Sequence, residues 1–123
     1  MTTILSTIQW LDILHNPTLT KQKVIDILDV VHATPSTALP CSQIAERLGE
    51  KFGTLNLRIG FFGRRVAEMY TMELPIYGPS ENPAYFSVPF LFDPPKRTDG
   101  LLDWVLRPEL AKALDHLKAE QRS

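Results

Sequence analysis

The chain has 123 residues, 44% of them hydrophobic and 22% charged, with a formal net charge of -1 at pH 7. That length suits one domain with a core that needs no covalent staples, since a chain of this size buries roughly two-thirds of its unfolded surface. The near-zero charge excludes a globally basic nucleic-acid binder, so any anion-binding surface must be a local patch on a neutral body.

Residues 3 to 14 place Ile4, Leu5, Ile8, Leu11 and Leu14 at helical spacing. Trp10 falls off that stripe and is expected to be exposed, where the helix could support a homodimer. His15-Asn16-Pro17 ends the helix, because the residue before proline avoids the helical region. Thr20 reads as the N-cap of a second helix, with Val24, Ile27, Leu28 and Val31 as its apolar stripe and Lys21, Lys23, Asp26 and Asp29 mostly off it. "ATPSTALP", with two prolines, reads as a loop. "CSQIAERLGEKFG" reads as a helix capped by Ser42, pointing Ile44, Ala45 and Leu48 inward and closed by Gly49 or Gly53. "TLN" is a short connection, and Thr54 or Asn56 caps the next helix, "LRIGFFGRRVAEMY", whose expected buried side is Leu57, Phe61, Val66 and Met69.

From Glu73 the period changes. "ELPIY" is extended, "GPSENP" is a turn, and "AYFSVPFLF" alternates like a strand, with Pro89 placing it at an edge or bulge. "DPPKRTDG" is a second turn, and "LLDWVLR" a further strand with Asp103 and Val105 opposite Leu102 and Trp104. Pro108 suits the first position of a closing helix in which Leu110, Ala113, Leu114 and Leu117 repeat at helical spacing.

This order predicts an α+β fold, a mainly helical winged helix-turn-helix with a C-terminal β-hairpin wing and a closing helix. One domain spans 1–123, with N-terminal helices in 1–33, the helix-turn-helix in 42–70, the β-ribbon in 73–107 and the last helix in 108–120. A plain helical bundle carrying an added hairpin is the alternative.

"SQIAERLG" resembles the first helix of many bacterial helix-turn-helix domains. "GRRVAE", an aromatic hairpin and "WVLRPELAKAL" together resemble the winged-helix segments beside HNH-type and methylcytosine-directed restriction nucleases in bacteria. The resemblance covers roughly residues 42–117. It implies a winged-helix fold in a nucleic-acid or defence setting, but not nuclease activity, because His15, His32 and His116 are far apart and form no metal-ligand spacing.

The helix around "RIGFFGRR" is unusual in carrying Gly60 and Gly63, each costing about 1 kcal/mol against alanine. Glycines three apart let another backbone come close, which is the preferred reading of the pair. Arg58 and Arg65, two turns apart, share a face that can meet phosphates or guanine edges, with Arg64 beside them. The bland alternative is a solvated face in which Arg64 or Arg65 pairs with Glu68. Thr54 and Asn56, besides capping, stand where helix N–H groups can meet a phosphate. Lys96 and Arg97 occupy the expected wing tip, diluted by Asp93 and Asp99. Tyr70, Tyr77, Tyr85, Phe86, Phe90, Phe92 and Trp104 are read mainly as core, with one or two free to stack on a base or dock a partner.

No HExxH, GxSxG or glycine-rich phosphate loop is present, and Glu46, Glu50 and Glu73 have no histidine at useful spacing. A non-enzymatic protein without metal or cofactor is therefore expected. The single cysteine, Cys41, leaves no intrachain disulfide and fits a cytoplasmic location. No apolar run of about 18 residues and no basic leader point to a membrane or to export. The leading expectation is a winged-helix protein of bacterial or phage origin binding double-stranded DNA. Helix 56–70 enters the major groove, with Thr54, Asn56, Arg58, Arg64 and Arg65 in contact and Lys96 and Arg97 on the wing. The rival is a protein-interaction module on the same fold, such as an anti-CRISPR or other defence inhibitor, or a subunit of a larger complex.

Overall fold

The first helix, α1 (Thr7–His15), starts at a reciprocal cap: the Gln9 amide donates to the Ser6 hydroxyl, and the Ser6 amide donates to the Gln9 side-chain carbonyl. The structure, a computed structural model, describes residues 3–34, 38–77, 82–91 and 103–122. After α1 the Asn16 side chain accepts from the Thr18 and Leu19 amides and turns the chain into α2 (Gln22–His32). Lys21, not Thr20, precedes that helix; the buried Thr20 hydroxyl instead donates to the Ile13 carbonyl at 2.6 Å, tying α2 to α1.

A strand follows where the sequence reads as loop. β1 (Ala38–Pro40) leads into α3 (Cys41–Leu48), which begins after Pro40, so Ser42 lies inside the helix and does not cap it. Gly49 closes α3 with φ 66, a left-handed conformation that glycine adopts without cost. α4 (Phe52–Tyr70) starts after Lys51, earlier than expected, so Thr54 and Asn56 both lie within it and neither caps it. β2 (Ile76–Tyr77) and β3 (Asn82–Pro83) form a short antiparallel pair. The expected strand "AYFSVPFLF" is broken: Tyr85–Ser87 is a 3-10 turn, and among the described residues of this segment Phe90 and Leu91 are the ones that pair with the last strand and the residue after it, while Phe92 lies outside the described residues. That strand, β4 (Asp103–Val105), precedes α5 (Pro108–Arg122), with Pro108 at its first position.

β1 runs antiparallel to β4, with Leu39 opposite Trp104. Phe90 is bridged antiparallel to Leu106, and the Leu91 amide donates to the Val105 carbonyl at 2.9 Å. β4 is thus held both by the strand before α3 and by the segment after α4. The architecture is α+β, with helices around a small antiparallel sheet.

The core joins every helix. Trp10, expected at the surface, is fully buried against Phe62, ring centroids 6.4 Å apart, while Ile4 and Ile8 face outward. The cap at Ser6 starts the helix late, so its inward stripe runs Trp10, Ile13 and Leu14 instead. Phe90 stacks on Trp104 at 4.9 Å beneath the sheet. In α5 Leu110, Ala113 and Leu114 are buried as expected, and Leu117 packs at the margin.

The facing of α4 is the largest departure. Its buried side is Leu55, Ile59, Phe62, Gly63, Val66 and Ala67. Leu57, Phe61 and Met69, expected inside, are exposed at 62%, 55% and 57%. Gly63 is the physical reason. A β-carbon there would sit 2.1 Å from the Tyr85 carbonyl oxygen, so the 3-10 turn rests directly on the helix backbone. Gly60 makes no such contact, since a β-carbon on it would meet nothing within 4 Å. The close approach expected of the pair belongs to Gly63 alone.

Candidate nucleic-acid interface

The orientation of α4 depends on the turn that presses on Gly63, and that turn is clamped by Arg107. Its Nε donates to the Ser87 and Val88 carbonyls at 2.9 and 3.1 Å, and its Nη2 donates to Ser87 at 2.6 Å. The guanidinium is buried, and burial lowers its pKa from the ordinary arginine value. Carbonyl acceptors satisfy a buried cation here in the role a carboxylate usually fills. Arg107 therefore fixes the 3-10 turn, the turn fixes Gly63, and α4 presents its opposite side to solvent.

On that side the sequence-predicted residues separate. Arg58 is half-buried and its Nη1 is bonded to the Glu50 carboxylate. The exposed Arg64 donates from Nε to Glu68 at 2.9 Å, one turn along the helix, and this hydrogen bond raises its pKa. Arg65 is exposed and has no carboxylate partner among the described residues. Thr54 is half-buried and Asn56 exposed in the first turns of α4. Lys96 and Arg97, with the rest of the expected wing tip, lie outside the described residues. Two of the three arginines are thus bonded to carboxylates, and the Arg64–Glu68 pair is the one expected of a solvated helix face.

A different cationic surface stands beside it. Arg58 and Arg65 are seven residues apart, so they lie two turns apart along one edge of α4, and Lys51 precedes the helix at its N-cap. Across from that edge lies the start of α2. Lys23 Nζ approaches Glu50 at 3.9 Å, which places it beside Arg58. Lys21 and Arg65 line one open concavity of about 690 Å³, together with Asn16, Thr18, Glu68 and Met69. Lys21, Lys23, Arg58 and Arg65 thus border one seam, in which Glu50 is the carboxylate paired with Lys23 and Arg58 and Glu68 the rim carboxylate bonded to Arg64. Lys21 and Lys23 were not legible as site residues, because the start of α2 meets α4 only in the folded chain. The seven-residue spacing of Arg58 and Arg65 was the available signal.

Leu57 and Phe61 lie one turn apart on the outward side, between this edge and the Arg64–Glu68 pair. Two of the three histidines are engaged elsewhere: His15 Nε2 meets Glu120 at 2.8 Å, and His32 lies between Asp115 and Lys118. Among the described residues no group of three or more His, Cys, Asp or Glu side chains could hold a metal ion. Burial pushes the Cys41 thiol up to about 11, away from the range of a reactive thiolate. No described helix is long and apolar enough to cross a membrane. The chain matches no protein-family model, no curated protein and no solved structure.

Proposed function

We propose that the chain is a winged-helix domain that docks on double-stranded DNA with the outward side of α4 in the major groove. The topology supports the winged reading. α2, β1, α3 and α4 follow in that order, and the chain then returns as Phe90–Leu91 and β4, with β4 antiparallel to β1. A helix pair followed by a ribbon, whose last strand returns to the strand before the pair, leaves the second helix of the pair standing clear of the sheet.

The observation that carries the DNA reading is the cationic seam. Four basic side chains, Lys21, Lys23, Arg58 and Arg65, gather along one side of α4 in a chain whose formal net charge is -1. Phosphate contacts position a protein on duplex and set its salt dependence. The pairing of Arg64 with Glu68 does not remove it from this role, because an ion pair open to solvent is worth under about 1 kcal/mol and exchanges readily for phosphate. The charge balance of the whole chain implies modest affinity for a single copy.

Duplex binding measured by fluorescence anisotropy against salt concentration tests the reading. The wild type is expected to weaken steeply as salt rises. The pair of changes Lys21→Glu and Arg65→Glu is expected to cost at least tenfold in affinity and to flatten the log–log slope by about 2. A wild-type slope near zero, or unchanged binding by the double variant, ends the DNA reading.

The exposed Leu57, Phe61 and Met69 favour a second reading, a protein-interaction module that uses the same helix. A stoichiometric protein complex that holds no nucleic acid and is lost on Phe61→Ala supports it.

A further inference from the structure

We infer that Leu57 and Phe61 read the C5-methyl groups of thymine in the major groove, so that the protein prefers duplex with thymine beneath the first half of α4. This rests on the DNA reading above and names what the centre of that helix recognises. A recognition helix whose outward positions held Asn, Gln or Arg would read bases through paired hydrogen bonds. α4 exposes Asn56, Arg64 and Arg65, but between its arginines it presents Leu57 and Phe61, 62% and 55% exposed, and neither of these two side chains can donate or accept. The one apolar feature a base pair offers in the major groove is the thymine methyl group.

The flanks decide in favour of this occupant. Arg58 and Arg65 run along one side of the two apolar residues. Arg64 stands on the other side, held in reach by Glu68. An apolar strip bordered by cations matches a groove whose floor carries methyl groups and whose walls carry phosphates. The dimensions agree as well. Residues four apart rise about 6 Å along a helix, and stacked base pairs are about 3.4 Å apart, so the two side chains reach methyl groups about two base pairs apart.

Replacing thymine by uracil removes the methyl group and leaves charge and hydrogen-bonding edges intact. The test compares an alternating dA·dT duplex with the same duplex carrying deoxyuridine, by anisotropy at fixed salt. Wild type is expected to bind the thymine duplex about threefold to tenfold more tightly, with the same salt slope on both. Leu57→Ala with Phe61→Ala is expected to bind both duplexes equally, at the affinity of wild type for the uracil duplex. Both side chains are exposed, so this variant keeps its fold, and far-UV circular dichroism checks that it does. Salt-dependent binding of equal strength to both duplexes overturns the methyl reading while the DNA reading stands. Absence of duplex binding overturns both. A dimer in sedimentation that Phe61→Ala dissolves overturns the methyl reading by giving the strip to a second copy of the chain.

Discussion

The two sides of α4 carry nearly the same kinds of residue and behave oppositely. Phe61 and Phe62 are neighbours, yet one is 55% exposed and the other 1%. Gly60 and Gly63 sit one turn apart, yet a β-carbon meets nothing at the first and the Tyr85 backbone at the second. Hydrophobicity alone cannot rank the two phenylalanines, because either could fill a core. The turn clamped by Arg107 makes the choice, since it has room to rest on α4 only where a side chain is missing. Rotation about the helix axis is therefore set by a backbone contact, and the apolar residues left facing solvent are free to serve recognition.

The largest effects should separate the two phenylalanines. Phe62 is fully buried against Trp10, so Phe62→Ala is expected to cost about 3–5 kcal/mol in urea unfolding. Phe61→Ala is expected to change stability by no more than about 0.5 kcal/mol. Equal losses at the two positions would show that the two sides are not distinct. The glycines should sharpen the contrast with opposite signs. Gly63→Ala drives a methyl group into a backbone carbonyl, which cannot swing away as a side chain can, and is expected to cost about 2–3 kcal/mol. Gly60→Ala fills open space in a helix and is expected to stabilise by about 0.5–1 kcal/mol, read as a higher urea midpoint at unchanged slope.

Much of the helical framework was legible because each stripe is local. Val24, Ile27, Leu28 and Val31 are all buried, Gly49 ends its helix, and Pro108 starts one. What failed depended on partners distant in sequence. "ALP" is too short to carry a period, and it is a strand because Asp103–Val105 lies opposite it. "AYFSVPFLF" alternates like a strand, yet Arg107 draws the Ser87 and Val88 carbonyls into a turn that alternation cannot reveal. The same limit governed the site. The arginines of α4 could be named from one helix, whereas their bonds to Glu50 and Glu68, and the approach of Lys21 and Lys23, are products of folding. Lys96 and Arg97 lie outside the described residues.

A pH-dependent effect tests the covered side of α4 near its start, where the Cys41 thiol lies 3.9 Å from the Phe52 carbonyl. Burial raises this thiol from 9.0 to about 11. Between those values the unfolded chain has lost the proton and the folded chain has kept it, so the folded state binds more protons and stability falls as pH rises. Below pH 9 the thiol is protonated in both states and contributes no pH dependence. Cys41→Ala removes the titration, so the wild type is expected to lose more stability than the variant between pH 9 and 11, and to track it at pH 7. Lysines and tyrosines that titrate in the same window cancel in the difference. A matching thiol assay should find Cys41 unreactive at pH 8 until urea unfolds the chain. Rapid labelling of the folded protein would mean that the start of α4 opens to solvent, and that its covered side is less firmly held there than at Phe62.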